Sequence, residues 1–103
     1  MLVNSSYNNG DIVAFKTSTG EEILAKFLEQ NSDSFTVSKP FVLISGQNGP
    51  GLAPAMFCMD INNNSIKLNK SAVIMHTMAR KDIANEYIGA TSGIIPAQNI
   101  PGV

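Results

Sequence analysis

Apolar positions alternate with polar ones through most of the chain, then change to a helical spacing near the C-terminal end. In IVAFKT, from Ile12, Val13 and Phe15 fall on one face of a strand, because strand side chains point to alternate sides. STG, Ser18 to Gly20, reads as a tight turn with glycine where positive φ is needed. EEILAKFLEQ then puts Ile23, Ala25 and Phe27 on one face and Leu24, Lys26 and Leu28 on the other. Its Glu, Leu, Ala and Lys also favour helix, but the turn before it and the β-type segment after it select strand. NSD, Asn31 to Asp33, is a second turn, and SFTVSKPFVLI puts Phe35, Val37, Phe41 and Leu43 on one parity. Pro40 has no N–H, so that strand bends, bulges or lies on an edge nearby.

The next segments are short. Ser45 to Pro54 is rich in Gly and Pro and is expected as an exposed loop. AMFCMDI reads as a strand, NNN (Asn62 to Asn64) as a turn or bulge, and SIKLN as a short strand with Ile66 and Leu68 inward. KSA forms a tight corner into the last strand, VIMHT. Beyond it Ile83, Ala84, Tyr87 and Ile88 form a helical stripe, with Thr77 as candidate cap and Gly89 as stop. The organisation is then a flexible arm over residues 1–10, a β domain over 11–78, a helix over 79–89 and a tail over 90–103. Five or six short strands in about seventy residues predict a mainly β fold, a small, strongly bent sheet or barrel with a short C-terminal helix.

Seven basic and eight acidic residues give a net charge of −1, against a strongly basic, sequence-blind nucleic-acid binder. The charge is uneven. Residues 1–36 carry Asp11, Glu21, Glu22, Glu29 and Asp33 against Lys16 and Lys26, whereas residues 37–81 carry Lys39, Lys67, Lys70, Arg80 and Lys81 against Asp60. One end of the fold is therefore expected to be positive. The single cysteine, Cys58, has no internal disulfide partner and fits a small buried apolar residue in a reducing compartment. No secretory signal or membrane-length apolar run is visible, so a cytoplasmic chain without membrane contact is expected.

His76 is the only candidate general base. A nucleophilic triad needs Ser or Cys beside it and a carboxylate behind. Cys58 and Asp60 share a face of the expected neighbouring strand, but no nucleophile elbow, oxyanion loop or phosphate loop surrounds them. One His and one Cys are too few for a metal site. The sequence points to a protein that is not an enzyme and needs no cofactor.

The order of elements resembles the Sm-like family, the small β-barrels that include Sm, LSm and Hfq proteins. GDIVAFKTSTGEEILAKFLEQNSDSFTVSKP corresponds to the first family motif, a strand, a turn glycine, a long bent strand, a polar loop and a third strand. LNKSAVIM is similar to the second motif in its Hfq form, with Lys70, Ala72 and Val73 on the lysine, alanine and aliphatic positions. Asn69 replaces that motif's aromatic and Ser71 its histidine. The polar loop offers Asn31, Ser32, Asp33 and Ser34, with no aromatic or histidine to stack on a base. PAMFCMDINNN needs either a long fourth strand or an insertion. The compact form and C-terminal helix look most like Sm-like proteins encoded by marine bacteriophages, which implies a host-cell cytoplasm.

The resemblance implies a five-stranded barrel that closes into a cyclic homo-oligomer of about five to seven subunits, with sheet edges pairing head to tail. The run Ala72, Val73, Ile74 and Met75 then forms the seam, one parity facing the core and the other the neighbour. It further implies single-stranded RNA at the ring pore, where the polar loop and the corner before the last strand converge. Lys70 and Ser71 would contact the RNA from the corner, and Asn31 and Asp33 from the loop. The competing expectation is a phage-encoded scaffold using the Ser45 to Pro54 loop and the helix to hold another protein.

Overall fold

A computed structural model describes residues 7–60, 62 and 65–92. Its strands are β1 (Ile12–Thr17), β2 (Glu22–Gln30), β3 (Ser34–Gly46), β4 (Gly49–Pro54), β5 (Ile66–Asn69) and β6 (Val73–Met78). A 3-10 turn, Lys70–Ala72, joins β5 to β6, and one helix, α1 (Lys81–Ser92), follows. The sheet is antiparallel in the order β4-β3-β2-β1-β6, and β5 pairs with β3 as well. β5 takes Ser34 to Val37 of β3 and β4 takes Phe41 to Gly46, so the two lie end to end along one side of that long strand.

The fold is thus mainly β with a short C-terminal helix, as expected, but six strands replace five and the sheet is not closed. Among the described residues, β6 pairs only with β1, and β4 and β5 only with β3. Closure would need β6 to meet β4 or β5, and no such pairing joins them among the described residues.

Local chemistry sets the turns. Gly20 closes the β1–β2 hairpin with φ 99°, and its N–H donates to the Thr17 carbonyl at 2.9 Å. A side chain at this φ would be strained, which is the expected reason for glycine. Gly49, at φ 103°, opens β4 after the two-residue turn Gln47–Asn48. The stretch expected as a loop is therefore the tip and return strand of a hairpin. β4 tolerates Pro50 and Pro54 because it lies on the sheet's edge, where missing N–H groups cost few ladder bonds. AMFCMDI is not a strand: Ala55 to Asp60 are turns, bends and irregular chain, and Ile61 lies outside the described residues. Its composition favours β structure, yet none of its described residues has a ladder partner. The Asn62 N–H donates to Asp60 Oδ1 at 3.0 Å, a local turn, while Asn63 and Asn64 lie outside the described residues.

Two bulges break the β2–β3 register, between Leu24 and Lys26 and between Phe27 and Glu29, and Lys39 adopts φ 50° just before Pro40. Such irregularities bend strands and raise their twist. They also explain a misread face. Phe35 and Val37 pack in one apolar cluster, but Phe41 packs in another, because the chain turns over at Lys39.

The first cluster holds Val13, Phe15, Ala25, Phe27, Phe35 and Val37, joined by Tyr7 from the N-terminal arm. Ile66, Leu68 and Val73 cover it from β5 and β6. Each buried aromatic or branched aliphatic side chain contributes about 1.5–3 kcal/mol. The second cluster lies on the other face, where Tyr87, Ile83 and Ala84 of α1 pack on Ile12, Leu24, Phe41 and Leu52. The helix begins later and ends later than the sequence implied: Thr77 stays in β6, and Gly89 is interior. Asp82 serves its first turn, accepting the Ile83 N–H at 2.9 Å and two bonds from Arg80 at 3.0 and 2.8 Å. The Arg80 hydrogen bonds hold the Asp82 carboxyl below its ordinary value, at about 2.

The arm is held at its inner end. Tyr7 is buried and Gly10 N–H donates to the Phe27 carbonyl at 2.8 Å, while residues 1–6 lie outside the described residues. So do residues 93–103 of the expected tail.

Candidate functional site

The polar loop and the corner before the last strand meet. Asn31 builds the loop: its Oδ1 accepts from the N–H groups of Asp33 (2.8 Å) and Ser34 (2.9 Å). This turn presents the Asp33 carbonyl to the Lys70 N–H at 2.8 Å, and Ser34 pairs with Asn69 in the β3–β5 ladder. Two segments nearly forty residues apart in sequence therefore form one corner, with Lys70, Ser71, Asn31 and Asp33 on it. Asn31, Asp33 and Ser71 are exposed, and Lys70 is partly so.

Lys70 is positioned from two directions. Its Nζ donates to Gln30 Oε1 at 2.8 Å and lies 5.0 Å from the centroid of the Phe35 ring. A cation over an aromatic face is attracted by the ring quadrupole, by about 0.5–1 kcal/mol when exposed. Gln30 is uncharged, and among the described residues Lys70 makes no ion pair. Phe35 is only 1% exposed, so its ring is covered and is not an open platform for a base.

His76, within β6, belongs to the same region. It sits opposite Phe15 in the β1–β6 ladder, and its ring stands edge-on to Phe35 with centroids 5.0 Å apart. Its Nδ1 is 2.7 Å from the Tyr7 hydroxyl, whose pKa burial raises. A shallow cleft of about 120 Å³ is lined by Phe35, Lys70, Val73 and His76. Sequence reasoning missed Gln30, Phe35, Tyr7 and His76 as parts of this corner. Strand parity could not place His76, because Ile74 is bulged: Thr17 pairs with Val73, but Lys16 pairs with Met75. Past the bulge the faces exchange, so His76 and not Met75 follows Val73 on the side of the first cluster, where its ring meets Tyr7, Phe15 and Phe35 while the residue stays exposed.

That bulge also settles how the seam candidates lie. Ala72 is in the 3-10 turn, and Val73 is partly buried against the first cluster. Ile74 and Met75 are 59% and 63% exposed, and Met78 is exposed as well. The helix covers the opposite cluster and leaves Ile74 and Met75 bare. Beside them the unpaired side of β6 presents its backbone.

Cys58 is exposed, contrary to its expected burial, because its segment never joins the sheet. Among the described residues no three His, Cys, Asp or Glu side chains converge, so Cys58 and Asp60 do not join His76 in a cluster. Among the same residues, no helix is long and apolar enough to cross a membrane. No family model matches the sequence, and no curated protein does.

Proposed function

We propose that the chain is an Sm-like protein that assembles into a closed ring through its sheet edges and binds single-stranded RNA at the Lys70 corner. The observation that carries this reading is the bare edge of β6, with Ile74 and Met75 exposed beside unpaired backbone. An exposed apolar edge strand invites another strand. The outer side of β5 is the complementary edge of a second copy. Antiparallel pairing of β5 with a neighbour's β6 is head to tail, and a rotation that closes gives a cyclic ring.

The corner supports the RNA part. β5 leads directly into Lys70, so ring closure sets the corners of successive subunits in a circle. Each supplies a held ammonium and the exposed polar groups of Asn31, Asp33 and Ser71. Repetition raises avidity for a strand that touches several subunits. The Asn31 carbonyl oxygen is committed to its turn, which leaves its amide N–H groups as donors to a base edge.

A protein scaffold is the second reading, favoured by the covered Phe35 ring, since strong single-strand binding normally uses open stacking surfaces. Light scattering coupled to a sizing column, followed by titration with oligo-U and oligo-A, separates the two. A ring that binds at micromolar concentration, and more weakly as Lys70→Ala, supports the RNA reading. A ring with no binding at low salt supports the scaffold. A monomer at micromolar concentration overturns both.

A further inference from the structure

The segment between β4 and β5 carries apolar side chains that its own subunit does not cover. Phe57 is fully exposed and Met56 is more than half exposed. A bare aromatic ring in water, on a segment anchored at both ends, asks for an occupied state. Ala55 is tied to Pro40 by an N–H to carbonyl bond of 3.0 Å, and Ile66 is tied to Val37 in the β3–β5 ladder. Both ends of the segment therefore lie beside β3, at Pro40 and at Val37.

A cleft of about 310 Å³ opens where β6 runs into α1. Ala14, Leu24, Leu43, Met78, Ala79 and Ile83 give it an apolar lining, and Glu22, Thr77 and Arg80 complete its wall. Its Thr77 and Met78 belong to β6, the strand that carries the exposed Ile74 and Met75.

Strand direction connects the two features. When β5 pairs antiparallel with a neighbour's β6, the Ile66 end of β5 lies beside the neighbour's Met78. Ala55, tied to Pro40 farther along β3 than Val37, then lies toward the neighbour's Ala79 and Ile83, which line the cleft, and Phe57 follows Ala55 by two residues. We infer that Phe57 of each subunit seats in the β6–α1 cleft of the next, as an apolar anchor beside the strand pairing. The inference rests on the ring reading above, because only that pairing brings the two together. An aromatic anchor in an apolar pocket at the centre of an interface is the usual form of a binding hot spot. The occupant is thus a second copy of this chain, and each subunit both gives and receives one ring, as a head-to-tail assembly requires.

Cys58, adjacent to Phe57 and exposed, provides a direct probe. In Arg80→Cys the new thiol stands at the cleft's rim, and a short flexible bis-maleimide joins it to Cys58 wherever the two come close. The full-length chain is cross-linked and run on a denaturing gel, and the dissociation of Phe57→Ala rings on dilution is compared with wild type by sedimentation. The expected result is a ladder of covalent multimers with Arg80→Cys, and Phe57→Ala rings that dissociate at a concentration about tenfold or more higher. Circular dichroism of Phe57→Ala is expected to match wild type, since the ring makes no contact that the isolated fold needs. Wild-type rings with an unchanged dissociation concentration in Phe57→Ala overturn the inference and leave the ring reading standing. A cross-linked monomer without a ladder also overturns it, because the segment then reaches its own cleft. Wild type that stays monomeric overturns the ring reading, and the inference falls with it.

Discussion

Lys39 shows how a single residue redirects this fold. It is the one non-glycine residue with positive φ among those described, and it stands where Pro40 forces the chain off a regular strand. A left-handed lysine costs energy that its surroundings must offset. Tyr87 supplies part of that offset from across the molecule: its hydroxyl donates to the Lys39 carbonyl at 2.5 Å and lies 3.3 Å from the Ser38 carbonyl. Burial pushes the Tyr87 pKa well above its ordinary value. The folded state thus keeps the phenol neutral while the unfolded chain ionises near pH 10. This contribution is fully present below that pH and is lost as pH rises beyond it. Tyr87→Phe is expected to cost roughly 1–2 kcal/mol at neutral pH, from the lost hydrogen bond and the carbonyls left behind. Urea melts on both sides of pH 10 check the sign: wild type should lose stability above it, and Tyr87→Phe should lose less. The helical stripe made Tyr87 legible as a core residue in the sequence. Its hydroxyl partner was not legible, because the acceptor depends on a backbone turn more than forty residues away.

Elements were readable where one local rule decided them and misread where two rules competed. β1, β2 and β5 alternate cleanly, and their inward residues fill the first cluster as the pattern predicts. β4 was hidden because Gly and Pro mark loops, although an edge strand accommodates both. AMFCMDI was mistaken for a strand because β propensity registers fit to a pleated surface and says nothing of whether a partner exists. β6 was found, but which parity faces the core was left open, and the bulge at Ile74 gives the strand no single parity. The consequence of that bulge is testable. Ile74 and Met75 make no large contribution to the isolated fold, so Ile74→Lys and Met75→Lys are expected to change monomer stability by less than about 0.5 kcal/mol. The same lysines would place charge on the pairing edge and block assembly, as natural edge strands do. The check is chemical denaturation in parallel with sedimentation: melts near those of wild type, with the mass reduced to a monomer. A large loss of stability, or rings that persist, would contradict the edge assignment.

At the scale of the molecule, a small chain supports two apolar clusters on opposite faces of one sheet, and the edges of that sheet remain open. The overall shape was legible from strand count and turn spacing, but closure was not. Whether a bent sheet closes on itself or on a copy is decided by which edges are bare, and sequence pattern does not report pairing between distant strands. The proposed seam and the proposed RNA corner also differ in kind. The seam is apolar, with Ile74, Met75 and the Phe57 segment, whereas the corner carries Lys70 held by uncharged Gln30. These chemistries respond oppositely to salt. Screening weakens charge contacts, and releasing counterions from single strands gives a slope of about −0.7 per phosphate neutralised. Apolar contacts are not screened. Raising potassium chloride is therefore expected to weaken oligo-U binding steeply while leaving the ring mass unchanged by light scattering. Lys70→Ala should flatten the salt slope by about 0.7 per subunit that contacts the strand, without altering assembly. Rings that fall apart at the salt concentration that releases RNA would mean that charge, and not the β6 edge, holds the subunits together.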